Sequence, residues 1–108
     1  MNNQQSTGNS EKSLDLGKHG TAIVDKDTGN EVYEEIKFIL KSSDDVSVNF
    51  ENIVTMATFC AKQIFGRLYI ELGSEDFFKK IKMINASQEL RYIITTGIKE
   101  ALKDQKSK

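Results

Sequence analysis

The sequence contains no proline, no tryptophan and a single cysteine, and its formal net charge at pH 7 is only −1. A lone cysteine cannot form an internal disulfide, which favours a reducing compartment, and we expect the chain in the cytoplasm. A net charge this close to zero gives no broad attraction to nucleic acid or to anionic lipid. We therefore expect no nucleic-acid partner. Without proline, the turns must rely on Gly, Asn, Asp and Ser.

Long hydrophobic runs are also missing. The most apolar window, IVTMATFCA at 53–61, is far shorter than the roughly 20 residues that cross a bilayer, so we expect no membrane association. Residues 1–13 carry no hydrophobe after Met1 and predict a disordered tail without a signal peptide. Residues 104–108 predict a second disordered tail. One domain at 14–103 is left between them.

The first half of this domain predicts a hairpin followed by a helix. Two short runs, SLDLG and TAIVD, predict a hairpin that turns at Gly17 and Gly20. The helix follows from Thr28, where Glu31 completes a capping box in which each side chain satisfies a free backbone N–H. Residues 42–45, SSDD, mark its end. Its apolar stripe at helical spacing consists of Val32, Ile36, Ile39 and Leu40.

The middle of the domain predicts a strand and a second helix. VSVNF at 46–50 alternates with period two, which is typical of a strand. From about Thr58 the period becomes helical, and the helix ends at Gly73, a residue suited to a C-terminal cap. Gly66 inside this helix costs roughly 1 kcal/mol against alanine, which predicts close approach of a neighbouring backbone. The apolar face comprises Ala61, Ile64, Phe65, Leu68 and Leu72.

The C-terminal part predicts a short helical turn, a strand and a last helix. SEDFFKK forms the turn, with Ser74 as its cap, and IKMI at 81–84 is the strand. The last helix begins in NAS, with either Asn85 or Ser87 as its cap. Its apolar stripe consists of Leu90, Ile93, Ile94, Ile98, Ala101 and Leu102. This alternation predicts an α/β fold, with a small mostly parallel sheet and about three main helices.

The candidate reactive residues do not assemble into a catalytic or metal-binding pattern. GKHGT, from Gly17, lacks the first glycine of a phosphate loop and carries His19 where the motif needs Ser or Thr. His19 and Cys60 alone are too few for a structural zinc site. A Cys60–His19 nucleophile pair stays open, because a helix N-terminus would lower the pKa of Cys60. We nevertheless expect a protein that is not an enzyme and takes no metal or cofactor.

The stretch TMAT at 55–58 joins the predicted strand to the predicted helix. Open α/β sheets usually bind ligands where a parallel strand ends and the next helix begins. The unpaired N–H groups of a first helical turn favour an anion or a phosphorylated hydroxyl, and Thr55 and Thr58 are the hydroxyls there. The alternative interpretation is that Thr58 simply caps the helix.

Two segments carry a family resemblance: VNFENIVTMATFCAKQIFGRLY and IKMINASQEL, with DKDTGNEVYEEIK as a weaker match. By their order and spacing, the residues from about 17 to 102 resemble the STAS-like domain family of unassigned function. That family is a bacterial and prophage relative of the anti-sigma-factor antagonist (STAS) domains. The resemblance implies a compact, non-enzymatic α/β domain that regulates by binding another protein.

In the antagonists, the strand–helix joint binds a partner such as an ATP-binding switch kinase or an anti-sigma factor. Phosphorylation of a hydroxyl at the joint adds a charge of about −1.5 to −2 and repels that partner. The partner-binding residues that the resemblance implies here are Thr55, Met56, Thr58, Phe59 and Lys62, with Thr58 as the candidate phosphoacceptor. Phe59 lies off the apolar stripe, so it is either an exposed aromatic anchor or part of a second buried face.

The joint departs from the Asp-Ser-(Ser/Thr)-Gly-like run of the antagonists. Aligned on Gly66 without gaps, that run falls on residues 57–60, so Ala57 replaces the acidic residue and Phe59 the usual phosphoacceptor. Thr58 keeps a hydroxyl one position earlier. This departure suggests an alternative function, a phage- or mobile-element-encoded effector that uses the same fold to bind and block an unrelated host protein. The oligomeric state stays open, a homo-oligomer included.

Overall fold

The computed structural model describes residues 11–106, which form five short strands and five α-helices. The strands are β1 (Glu11–Asp15), β2 (Ala22–Ile23), β3 (Asp45–Asn49), β4 (Thr55–Met56) and β5 (Ile81–Ile84). The helices are α1 (Lys26–Ser42), α2 (Thr58–Ala61), α3 (Arg67–Leu72), α4 (Ser74–Lys80) and α5 (Gln88–Lys106). A 3₁₀ helix at Leu16–His19 follows β1, and a π-helical turn at Lys62–Gly66 joins α2 to α3.

The ordered elements extend beyond the predicted domain at both ends. β1 begins at Glu11 rather than Leu14, because it pairs with β3 over its whole length. α5 continues through Lys106, so residues 104–106 are helical and do not belong to a tail. The rest of both predicted tails, residues 1–10 and 107–108, lies outside the described residues.

All strand pairs among residues 11–106 are parallel. A three-stranded sheet has the order β1-β3-β5, and β2 pairs with β4 as a separate ladder. The predicted hairpin is therefore wrong, since β1 and β2 pair with different strands. The 3₁₀ helix stands between β1 and β2, where the sequence predicts a hairpin turn. Asp15 caps this helix, because its side chain accepts the Gly17 N–H at 2.9 Å. The small, mostly parallel sheet that the sequence predicts is confirmed.

α1 begins earlier than the capping box predicts. Asp25, not Thr28, is the N-cap, and Asp25 Oδ1 accepts the Thr28 N–H at 2.8 Å. Thr28 Oγ1 also donates to Asp25 Oδ2 at 3.0 Å, so one carboxylate takes both donors of the residue expected to be the cap. Val32 and Ile36 are buried, as the helical stripe predicts, and Tyr33 is buried beside them.

A continuous helical stretch from Thr58 to Leu72, the joint helix, packs against α5 through a pair of glycines. A Cβ added at Gly66 would lie 2.7 Å from Ala101 Cβ, which confirms the close approach that the sequence predicts. On α5, a Cβ added at Gly97 would lie 2.6 Å from the backbone N of Lys62. The two glycines thus let the helices approach until their backbones are in contact. Within the joint helix, the buried residues of the predicted face are Ala61, Ile64, Phe65 and Leu68.

The caps of the remaining helices are partly as predicted. Gly73 ends the joint helix with φ 86°, a conformation that glycine tolerates. Ser74 does not cap α4, because Gly73 occupies the N-cap position. α4 therefore has no side-chain hydrogen bond at its N-cap. Of the two candidate caps for α5, Ser87 is the one used, since its Oγ accepts the Leu90 N–H at 3.1 Å. Asn85 instead adopts φ 60° directly after β5.

The hydrophobic core lies between the strands and the helices packed against them. Its largest fully buried side chains are Phe50 of the segment after β3, Phe65 of the joint helix and Phe77 of α4. The Phe50 and Phe65 rings pack with their centres 6.0 Å apart. Within residues 11–106, every helix is too short or too polar to cross a bilayer.

Candidate functional site

The strand–helix joint forms where β4 ends and the joint helix begins. Ala57 N donates to the Ile23 carbonyl at 2.9 Å, which holds the end of β4 against β2. The Ala57 carbonyl then accepts from Cys60 N at 3.0 Å and from Ala61 N at 3.1 Å, which starts the helix. Ala57 itself has an extended backbone with φ −70° and ψ 142°. The change from strand to helix within 55–59, on which the sequence-based site depends, is therefore present.

Four of the five predicted partner-binding residues reach the surface at this joint. Thr55 and Thr58 are partly exposed, Phe59 is 53% exposed, and the Lys62 side chain is 36% exposed. Met56 differs, because it is only 3% exposed and packs in the core. Met56 therefore supports the joint from the core side and is not part of the surface that a partner could contact.

Two alternatives that the sequence leaves open are decided by these positions. Phe59 is exposed and does not form part of a second buried face. Thr58 does not cap the joint helix, because Ala57 is the N-cap and no side chain accepts a hydrogen bond from the first turn. The first-turn N–H groups thus keep the partial positive charge of a helix N-terminus.

A groove of about 640 Å³, here called the joint groove, runs from the joint along the exposed side of the joint helix. Phe59 and Ile70 line it, and Ile70 is 36% exposed. α1 contributes Lys26 to the lining and α5 contributes Ala101. These residues are absent from the sequence-based site. The sequence does contain a pattern that indicates the groove floor. Positions 59, 63, 67 and 70 recur at helical spacing on the face opposite the buried stripe.

Two ion pairs hold cationic side chains at the joint groove. Lys62 Nζ pairs with the Asp104 carboxylate of α5, and this hydrogen bond raises the pKa of Lys62. Arg67 Nε lies 3.3 Å from Glu71 Oε2, and the Arg67 guanidinium lies 4.1 Å from the centre of the Tyr33 ring. The Lys62–Asp104 pair ties the groove floor to α5, and the contact of Arg67 with the Tyr33 ring ties it to α1.

Glu71 is the centre of a polar cluster between α1 and α3. The Tyr33 hydroxyl lies 2.7 Å from both Glu71 oxygens, and Lys37 Nζ lies 3.1 Å from Oε1. Burial opposes ionisation of Glu71, but hydrogen bonds from Tyr33 and Lys37 outweigh it and lower the pKa of Glu71. Burial and the bond to Glu71 raise the pKa of Tyr33, and the bond to Glu71 raises that of Lys37. The cluster therefore fixes the packing of the two helices.

Cys60 and His19 engage different partners and do not form the nucleophile pair left open by the sequence. Cys60 is buried, and its Sγ donates to the Asp25 carbonyl at 3.4 Å. His19 Nε2 lies 2.9 Å from Glu35 Oε1 on α1. Burial raises the pKa of the Cys60 thiol and the Asp25 carboxylate adds to the effect, so the lowering expected at a helix N-terminus is wrong. In the described part of the chain, no three His, Cys, Asp or Glu side chains are grouped to hold a metal ion.

The family comparison agrees with the resemblance seen in the sequence. The model of the family described as a STAS-like domain of unknown function (DUF4325) matches residues 28–91. The matched region contains most of α1, the whole strand–helix joint, the joint helix and β5, and it covers more than half of the chain. No curated protein and no solved structure matches the chain. The chain belongs to the family of STAS-like domains of unknown function.

Proposed function

We propose that this chain is a non-enzymatic regulatory module that binds a partner protein through the strand–helix joint. The single observation that carries the proposal is the 53% exposure of Phe59 at the first turn of the joint helix. Exposed hydrophobes are common singly, but two others are exposed on the segments that form the groove and the joint. Ile70 lines the same groove, and Val24, 50% exposed, follows Ile23, the residue that accepts the Ala57 N–H. Buried aromatic anchors contribute much of the binding energy at protein interfaces.

The proposed partner class follows from the family resemblance. It is a regulatory protein such as an ATP-binding switch kinase or an anti-sigma factor. Thr55, Thr58 and Lys62 lie within four residues of Phe59 in the chain and carry two hydroxyls and a cation, which suits the polar rim of an interface around an aromatic anchor. Met56, which is buried, supports this surface without touching the partner.

Thr58 is the proposed phosphoacceptor of this surface. Its side chain is partly exposed, and Lys62 lies four residues later on the same helix face. A phosphate on Thr58 would add a charge of about −1.5 to −2 at the positive end of the joint helix and would compete with Asp104 for Lys62. Intact-mass measurement of the protein from its native host, with and without phosphatase treatment, tests this role. An unmodified mass under every growth condition rejects it.

Substitution of Phe59 tests the proposed function directly. We expect Phe59→Ala to weaken binding of the co-purifying partner about tenfold or more, while the melting temperature stays nearly unchanged. Phe38→Ala is the matched control, because Phe38 is 71% exposed on α1 and lines a different surface groove. Phe38→Ala should leave the same binding intact. A large loss of stability in Phe59→Ala with binding unchanged would assign Phe59 to the core and contradict the proposal.

A second candidate is the phage- or mobile-element-encoded effector that blocks an unrelated host protein. Ala57 and Phe59 favour it, because they stand where the antagonists carry an acidic residue and a phosphoacceptor. The identity of the protein captured by the chain separates the two candidates. A kinase or a sigma-regulatory protein supports the first, and a nuclease or a polymerase supports the second.

A further inference from the structure

The joint groove has the length and the lining of a site for a short helix. The joint helix forms its floor from Phe59 to Ile70, and α1 and α5 contribute Lys26 and Ala101 to its walls. Phe59 and Ile70 are eleven residues apart, which at a rise of about 1.5 Å per residue is roughly 16 Å, or three helical turns. Amphipathic helices commonly bind in grooves through apolar anchors spaced over this length.

The charges of the joint groove favour an acidic occupant. The lining contains three cations, Lys26, Lys62 and Arg67, and one carboxylate, Asp104. Lys62 is paired with Asp104 and Arg67 with Glu71, whereas Lys26 forms no ion pair with any described residue. The chain as a whole has a formal charge of −1, so this positive excess is local to the groove. Complementary charge at a rim steers association and selects among partners.

The residues of this chain that lie outside the described part do not have the chemistry of such an occupant. Residues 1–10, MNNQQSTGNS, contain no charged side chain and no hydrophobe after Met1. They can supply neither the apolar anchors for Phe59 and Ile70 nor a carboxylate for Lys26. Residues 107–108 are a serine and a lysine and are equally unsuited. An acidic amphipathic segment of another protein would supply both the apolar anchors and the carboxylates.

We propose that the joint groove binds an amphipathic helix of a partner protein, with apolar side chains against Phe59 and Ile70 and acidic side chains beside Lys26. The inference rests on the proposed function and specifies the chemistry of the partner segment. It also explains how a phosphate on Thr58 would act, because the phosphate adds negative charge at the end of the groove that an acidic helix occupies.

A phage-displayed peptide library selected on the full chain tests this proposal. Each member is a peptide of about 16 residues with apolar positions at i, i+3, i+4 and i+7 spacing, and with its flanking positions drawn equally from Glu and Lys. We expect the recovered peptides to carry Glu more often than Lys at the flanking positions. A library with the same composition in scrambled order is the control for enrichment.

Variants of the chain then locate the bound peptide. Phe59→Ala should weaken the best recovered peptide about tenfold or more. Lys26→Glu should weaken it and reduce the salt dependence of binding. Lys41→Glu is the matched control, because Lys41 lies in the last turn of the same helix, beside another groove, and the charge change is equal. Lys41→Glu should leave both quantities unchanged.

Several results would overturn the inference. The inference fails if enrichment is no greater than that of the scrambled library. It also fails if the recovered peptides are rich in Lys, or if Phe59→Ala does not affect their binding. A dimer in sedimentation analysis that Phe59→Ala dissociates would mean that a second copy of the chain covers the groove, which also rejects the partner helix. If the native partner depends on Phe59 while acidic peptides fail to bind, the proposed function stands and only this inference falls.

Discussion

Replacing Gly97 with alanine should destabilise the fold, although alanine is the better helix former. The added Cβ would lie 2.6 Å from Lys62 N, 2.8 Å from Ala61 C and 2.9 Å from Ala61 Cβ. Two of these are backbone atoms of the joint helix, so the overlap can be relieved only by moving one helix away from the other. Overpacking costs about 1–3 kcal/mol, and alanine returns roughly 1 kcal/mol of helix propensity. Because backbone must move, we expect a net loss of about 1–2 kcal/mol.

Gly29→Ala is the matched control for this prediction. Gly29 also lies inside a helix and gains the same propensity, but the three atoms nearest to its added Cβ all belong to the side-chain amide of Gln63, which can rotate away. That rotation breaks the bond from Gln63 Nε2 to the Lys26 carbonyl, 2.9 Å long, at a cost of about 1 kcal/mol that offsets the gain.

Thermal unfolding followed by circular dichroism distinguishes the two glycine variants. A change of 1 kcal/mol shifts the melting temperature of a domain of this size by roughly 4–8 °C. We therefore expect Gly97→Ala to melt about 4–16 °C below the wild type and Gly29→Ala to melt close to it. A melting temperature of Gly97→Ala equal to or above that of the wild type would refute the inferred backbone contact between α5 and the joint helix.

Two further predictions concern titratable groups. The pKa of Glu71 is lowered in the folded protein, so its ionised form stabilises the fold above the ordinary carboxyl pKa, and this stabilisation is lost as the pH falls through the lowered value. Glu71→Gln should therefore show less loss of stability on acidification than the wild type, as measured by urea midpoints, and identical pH profiles would contradict the cluster. The Cys60 thiol is buried and its pKa is raised, so a thiol reagent should label it slowly in the native protein and rapidly in urea. Rapid labelling of the native protein would contradict this burial.

Elements whose periodicity and burial coincide could be predicted from the sequence. The stripe of α1 and the buried face of the joint helix are of this kind, because one local pattern decides both conformation and burial. Gly66 was informative in another way, since a glycine inside a helix predicts the close approach of a neighbouring backbone. The place of Phe59 off the apolar stripe left two positions open, the surface or a second buried face, and only the structure decided for the surface.

Helix caps and strand pairing could not be predicted from local patterns, because several residues or strands compete for the same contact. Thr28 has the sequence of a cap, but the Asp25 carboxylate lies three residues earlier and takes both its donors. β1 has no local mark that selects β3 as its partner over β2, because strand pairing is decided by the packing of the whole sheet. Met56 lies in a two-residue strand too short to show an alternation, so its burial was not predictable.

The walls of the joint groove could not be predicted either, for a related reason. Lys26 and Ala101 lie in helices far apart in sequence and come to line the same groove only after folding. The floor residue Ile70 could have been found, since it repeats the helical spacing of Phe59 on the exposed side. Tertiary packing therefore supplied the part of the site that local periodicity does not encode.

The most direct test of the central claim is photo-crosslinking from the joint in the native host. The photoreactive phenylalanine analogue p-benzoylphenylalanine is placed at position 59, and in a control protein at position 38, which is exposed on α1. If the strand–helix joint binds a regulatory partner, irradiation should attach one defined protein at position 59 and leave it free at position 38. Absence of any crosslinked protein at position 59, or the same set of proteins from both positions, would contradict the claim.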